Sequence, residues 1–457
     1  MSDNWSDAPS SSLPQPPSPP PPERRRGQIV VGAAVAALLA IGVALMVGLL
    51  NDDPGPVLVD GEATPPPPAT DEPGPSDGGA GDETPADTTT PESVPEEGAD
   101  SPDGSDSVED TEAALAAVLP ELIAFVESER GLEFQEDPVV LVLDDDAFVD
   151  RFNDLVDREL AESRADLEVF TGIYHALQIL EDDVTLEEAT LAFGEAGVIG
   201  FYDPDTADLV IRGGDITPLV RNTIVHELVH ALDDQWFGLD RPEYDDRDDE
   251  IGFGFQALAE GNARHIDHAY RDTFTDSEQA TYDAEQLALG GDVDFSVLTI
   301  PFIDLQYAPY QYGELFAAEL WDEGQATLDA AFDAPPDTSE QVMVTGSYRA
   351  GESRSEVAAP PADGEVAEQG VFGQLVLQTI LATAVGDDAG DAAAGWSGDW
   401  FVVWNEGSDT CIRADVAMDD GDERDELASA VTSWVGDHGN ASTELTADGL
   451  VRLTACG

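Results

Sequence analysis

The stretch Ile224-Val225-His226-Glu227-Leu228-Val229-His230-Ala231-Leu232 sets two histidines four residues apart, with a glutamate directly after the first. On a helix, residues four apart share a face. Two imidazoles on consecutive turns can therefore grip one Zn²⁺. Glu227 sits beside such an ion rather than on it, where it can take a proton from a water and pass it to a leaving amine. The flanking residues are apolar, as a buried helix requires, and a buried pair of histidines needs a partner. The alternative is a pair of core histidines satisfied without metal.

A third ligand must come from elsewhere in the chain. A metzincin would carry Gly at 233 and His at 236, where this chain has Asp233 and Trp236. A gluzincin takes a glutamate from a later helix. The acids Asp245, Asp246, Asp248, Asp249 and Glu250 read best as a solvated loop. Glu260 differs, because Phe255-Gln256-Ala257-Leu258-Ala259-Glu260-Gly261-Asn262-Ala263 surrounds it with small and apolar residues. A lone acid on a helix pressed against another wants a compensating partner, and a metal is one. His265, His268 and the acidic loop remain the other candidates.

The pair of segments His226 to Gln235 and Ala257 to Ala263 resembles the gluzincin-type zincin metallopeptidases. It is similar in particular to a group of secreted or membrane-anchored HExxH proteins. Gly200-Phe201-Tyr202-Asp203-Pro204, Pro309-Tyr310-Gln311-Tyr312-Gly313, Pro335-Pro336 with Ser339-Glu340-Gln341, and Gly395-Trp396-Ser397-Gly398-Asp399 add to the likeness over about 120–435. The resemblance implies a zincin-like fold, zinc held by His226, His230 and Glu260, and Glu227 as general base.

Further roles are read from position. Asp234 lies four residues after His230 and is either an orienting group or a solvated acid. Tyr310 or Tyr312 can donate to the oxyanion of a tetrahedral intermediate, unless they are core aromatics. There is no G-x-S-x-G elbow, no P-loop, no Rossmann glycine pattern before a helix and no complete EF-hand loop, so nothing speaks for a nucleotide.

These residues need elements to position them. Thr217-Pro218 supplies an N-cap and a first-turn proline for the motif helix. Gly197 to Tyr202 and Asp208 to Arg212, with a turn at Asp203-Pro204-Asp205, predict an antiparallel hairpin before it, whose edge can take up an extended peptide. A strand is expected at Val139 to Leu143. Helices are expected over 111–130, 145–161, 166–180, 251–272, 311–332, 369–385 and 422–435, and strands at Trp400 to Trp404 and Thr410 to Ala414. The fold class is α+β, mainly helical, with a small antiparallel sheet beside the motif helix.

Upstream of this region the composition changes. Residues 1–28 form a Pro-rich tail ending near Arg24-Arg25-Arg26, and Ile29 to Leu50 is an uninterrupted apolar run. As a helix it spans about 33 Å, enough to cross a bilayer, and the preceding arginines place the N-terminus in the cytoplasm. It is too long for a signal-peptide core, and no clear cleavage site follows. Residues 51–110 hold 18 acids and no base, and read as a disordered stalk. The expected layout is then a peptidase domain over 111–390 and an α/β extension of it over 391–457, outside the cell.

The whole chain has 97 acidic residues against 18 basic ones, for a net charge of −79. Every basic residue is arginine. That excludes a nucleic-acid footprint. The self-repulsion of such a surface is relieved by molar salt, which points to a saline habitat. Cys411 and Cys456 are the only cysteines. Outside the cytoplasm they are expected to bond, worth about 4 kcal/mol in the chain-entropy model. The expectation is therefore a membrane-anchored zinc peptidase acting on peptides or proteins. Its rivals are a binding or sensory ectodomain without turnover, a zinc hydrolase of another substrate, and an envelope protein with a chance motif.

Overall fold

Helices predominate along the chain, with the strands grouped before residue 213 and after residue 365, in an α+β arrangement. The computed structural model describes residues 104–457 except 196–197, 246, 248 and 291–295. The expected tail, membrane segment and nearly all of the stalk lie outside the described residues. Among the described residues, no helix is long and apolar enough to cross a membrane.

The N-terminal part comprises α1 (Gly104–Arg130), β1 (Val139–Leu143), α2 (Asp145–Ala176), α3 (Leu186–Glu195), β2 (Gly200–Asp203) and β3 (Asp208–Arg212). The central part is helical: α4 (Pro218–Phe237), α5 (Pro242–Asp245), α6 (Ile251–Arg271), α7 (Asp276–Gly290), α8 (Ile300–Glu323), α9 (Gln325–Asp333), α10 (Ser339–Met343) and α11 (Thr345–Ala350). The C-terminal part holds β4 (Val366–Gly370), α12 (Gly373–Val385), α13 (Ala389–Ala393), β5 (Trp396–Glu406), β6 (Asp409–Met418), α14 (Gly421–Asp437), β7 (Ala441–Leu445) and β8 (Val451–Cys456).

The strands form two sheets. The first has the order β1-β3-β2. The expected hairpin is present, with Tyr202 opposite Leu209. β1 joins β3 in parallel, so this sheet is mixed rather than purely antiparallel. The second sheet is antiparallel, in the order β4-β5-β6-β8-β7, and larger than the short strands expected. β4 and α12, which precede residue 390, pack with β5 and α14, which follow it. Cys411 faces Cys456 across β6 and β8, and the two are bonded.

Several expected boundaries shift. α1 begins at Gly104, inside the expected stalk, because Val108 packs on the apolar cluster of the motif helix and the Thr111 hydroxyl bonds the Gly214 carbonyl at 2.7 Å. The helices expected over 145–161 and 166–180 are one helix, α2, capped by Asp144. The helix expected from 311 starts at Ile300, runs through Pro309, and breaks at Gly324, where φ is 113°. Burial of its faces by neighbouring helices outweighs the one hydrogen bond a proline removes. α3, α7, β7 and β8 were not expected, since their apolar patterns are short and interrupted.

Two features place the site. α4 is capped as its sequence implies, the Thr217 hydroxyl accepting from the Val220 amide at 3.3 Å, with Pro218 at the first position. Its residues from Asn222 to Asp233 are all buried, so it is a core helix between α1 and the first sheet on one side and α6 on the other. α6 meets α8 at a glycine contact. A methyl group on Gly261 would run into the Gly313 carbonyl, and one on Gly313 into that of Ala257. The backbones are therefore as close as the absence of side chains permits. Gly261→Ala is expected to destabilise the fold by about 3 kcal/mol, read from urea unfolding. An unchanged midpoint would show that the two helices separate freely.

Candidate metal centre

His226, Glu227 and His230 project from adjacent turns of α4, and Glu260 meets them from α6. All four are buried, at 3 %, 1 %, 6 % and 1 % exposure. His226 Nε2 lies 3.1 Å from His230 Nε2, and Glu260 Oε2 lies 3.3 Å from the former and 3.4 Å from the latter. A tetrahedral zinc ion with bonds of about 2.0–2.1 Å holds any two ligands about 3.3–3.4 Å apart. The three atoms thus stand at the spacing of one face of such a coordination shell. Glu260 Oε1 is buried without a hydrogen-bond partner, as is Glu227 Oε1. Two imidazole nitrogens turned toward each other and toward a carboxylate make a donor set that suits zinc.

The surrounding groups set the chemistry of each member. The His226 Nδ1–H donates to Asp267 Oδ2 at 2.9 Å. That bond puts the proton on Nδ1 and leaves Nε2 facing His230 and Glu260. Burial pushes the Glu227 carboxyl up to about 7, against the pull of His226 and His230 and of a hydrogen bond from the Tyr202 main-chain N–H. Glu260 is also buried, but His230 and His226 outweigh the burial and hold its carboxyl below the usual range. The Tyr310 hydroxyl stands beside Glu260. Burial, then Glu260 and Glu227, push its pKa well above the ordinary tyrosine value, so it stays a donor.

A buried polar network locks α4 to α6 behind this cluster. Arg130, at the end of α1, donates to Asp233 Oδ1 at 2.7 Å and to Asp329 Oδ1 at 2.7 Å. The other Asp233 oxygen accepts from Asn262 Nδ2 at 2.5 Å, and Asn262 Oδ1 accepts from the Trp321 indole at 3.0 Å. Asp233 is three residues beyond His230, and Asn262 two beyond Glu260. The network therefore fixes the height at which the two helices cross.

The structure brings His226, Glu227, His230, Glu260 and Tyr310 together and leaves other candidates outside. Tyr312 is two residues round the helix from Tyr310 and accepts from Gln378 Nε2 at 2.8 Å, away from the ligands. Asp234 accepts from the Tyr202 hydroxyl at 2.6 Å and the Leu239 amide at 2.7 Å, so it ties down the end of α4 and orients no ligand. His265 stacks on Trp321, His268 bonds Glu314, and Asp249 pairs with Arg247. Asp246 and Asp248 lie outside the described residues. Asp267 and the Arg130 network were not foreseen. Asp267 was legible in principle, two turns beyond Glu260 on the same face. Arg130 lies too far away in sequence to be linked. No family model, curated protein or solved structure matches the chain.

Removing the carboxylate that orients a metal-binding histidine weakens metal affinity about 10–100-fold. Asp267→Ala is expected to lose zinc affinity by that factor, measured by competition with a chromophoric chelator. Unaltered affinity would mean that His226 is held by packing alone.

Proposed function

We propose that this chain is a zinc-dependent peptidase of the gluzincin type, with His226, His230 and Glu260 as metal ligands and Glu227 as general base. The observation that carries the reading is the convergence of three ligand atoms at tetrahedral spacing with a second buried acid, Glu227, beside them. A structural zinc site fills all four positions with protein side chains. Among the described residues the cluster offers three. A site with one position open and a carboxylate next to it suits hydrolysis.

Zinc bound there would polarise a substrate carbonyl and acidify a water. The protein's own groups supply the rest. Glu227 Oε1, which has no hydrogen-bond partner, accepts the proton and returns it to the departing amine. Tyr310, kept protonated by its burial, donates to the oxygen on which negative charge develops. Asp267 holds His226 in one tautomer. β2 pairs with β3 alone in its sheet and its Tyr202 N–H reaches Glu227, so an extended peptide laid along β2 would pass the base. The Cys411–Cys456 bond accords with a place outside the cytoplasm, where residues 29–50 would anchor the chain.

The depth of the site favours a second reading, a zinc-holding ectodomain that binds without turnover. One experiment separates the two. Full-length, zinc-loaded protein is given an unfolded protein substrate in molar salt, beside Glu227→Gln of equal zinc content. The peptidase reading expects cleavage by the parent and about 10²–10⁴-fold less by the variant. Equal cleavage by both would remove Glu227 as the base, and no cleavage by folded, metal-loaded parent would favour the binding ectodomain.

A further inference from the structure

One turn beyond Glu260 on α6 stands Arg264, with 12 % of its side chain exposed. A guanidinium offers five N–H donors. Elsewhere in this acid-rich chain arginines make close contacts. Arg452 forks onto Asp415 at 2.6 and 2.7 Å, Arg130 reaches two aspartates at 2.7 Å, and Arg221 reaches Glu278 at 2.6 Å. Arg264 does not. Its nearest carboxylate oxygens are Glu314 Oε2 at 3.6 Å and Asp267 Oδ2 at 3.9 Å, both beyond hydrogen-bond range, and its Nε is buried without a partner. Arg212 is similarly loose at 3.6 Å from Asp145, but a third of its side chain is exposed, within reach of water.

Each of the two nearby acids has one oxygen engaged elsewhere, and Asp267 Oδ1 is buried without a hydrogen bond, to Arg264 or to any other group. Asp267 Oδ2 holds the His226 ring at 2.9 Å, and Glu314 Oε1 holds His268 Nδ1 at 2.7 Å. A structural arginine here would fork onto one of them at about 2.8 Å. Instead the cation is held at a distance from both, within electrostatic reach of Tyr307 and of Tyr310, the tyrosine beside Glu260. One turn on the other side of Glu260, Gln256 is also buried, and neither its amide nitrogen nor its oxygen has a partner. That donor and acceptor pair matches a peptide group.

We infer that Arg264 is the anchor for a carboxylate of the substrate, which makes the centre selective for peptides carrying an acidic group next to the bond at the metal. The inference rests on the peptidase reading and narrows its substrate class. The carboxylate can be a C-terminus or an acidic side chain. Either places a planar, bidentate acceptor where the fork of Arg264 lacks one. Gln256 then meets the peptide group on the far side of Glu260.

The test uses full-length, zinc-loaded protein and three peptides of one neutral sequence: one with a free C-terminal carboxylate, one amidated, and one amidated with a single interior glutamate. Cleavage by the parent and calorimetric binding to the Glu227→Gln protein are measured in parallel, each also with Arg264→Gln and Arg264→Lys. A hydrogen bond to a charged group is worth about 1.5–3 kcal/mol, or roughly 10–100-fold. One of the carboxylate peptides is expected to be preferred over the plain amide by at least about tenfold. The winner identifies the source of the carboxylate. In Arg264→Gln the preference should collapse to about twofold, and Arg264→Lys, which keeps the charge but lacks the fork, should fall between. Equal handling of the three peptides by the parent, or a preference that survives Arg264→Gln, overturns the inference. If Arg264→Gln fails to fold, an undiminished preference in Arg264→Lys overturns it instead. Preferential binding without cleavage sinks the peptidase reading and leaves the anchor standing. Cleavage without preference does the reverse, and neither binding nor cleavage overturns both.

Discussion

Burying carboxylates without leaving them uncompensated is the constraint on which this structure depends. Two crossing helices bring Glu227, Asp233, Glu260 and Asp267 into one dry region, each at most 2 % exposed. An isolated buried carboxylate costs several kcal/mol or shifts to its neutral form. Each acid here meets the problem differently. Asp233 takes Arg130 and Asn262, Asp267 takes the His226 ring, and Glu260 lies against both imidazoles. Glu227 has the two imidazoles near it and one main-chain N–H, but burial outweighs them and its carboxyl rises. The least compensated acid is the one for which proton transfer is proposed.

Compensation works only if the helices hold their crossing. The contact between Gly261 and Gly313 sets the distance between α6 and α8, and so brings Tyr310 against Glu260. The Arg130 network sets the height of α6 against α4. Breaking a buried ion pair strands its partner and costs about 3–5 kcal/mol, so this arrangement resists sliding. The helices that carry the His226, His230 and Glu260 cluster are thus held from behind by groups outside it.

The charge of the chain gives its arginines a particular value. With 97 acids and no lysine, exposed carboxylates have few partners and rely on water and salt. Three arginines lie inward: Arg130 over Phe237 and Trp321, Arg264 beside Asp267, and Arg413 over Trp404. A weakly hydrated, planar cation suits such places better than an ammonium group would.

Much of the local structure was legible in the sequence. The four-residue spacing of His226 and His230, the Thr217-Pro218 start of their helix, the β2–β3 hairpin and the strand at Val139 to Leu143 follow from rules that span a turn or a strand. Glu260 stood out through its small, apolar neighbours, which mark a helix pressed against another. Other features depend on contacts between residues far apart in the chain. Tyr310 and Tyr312 look alike in sequence, and only the angle at which α8 crosses α6 turns one toward Glu260 and the other toward Gln378. Asp234 and Asp233 are adjacent acids, yet one caps a helix end and the other pairs with an arginine 103 residues away. β1 pairs in parallel with a strand that follows it after two helices, and β7 and β8 gain their places from the sheet they complete. Periodicity assigns a residue to a face, whereas the partner that face meets is set by which helices pack together, and that is decided by the whole core at once.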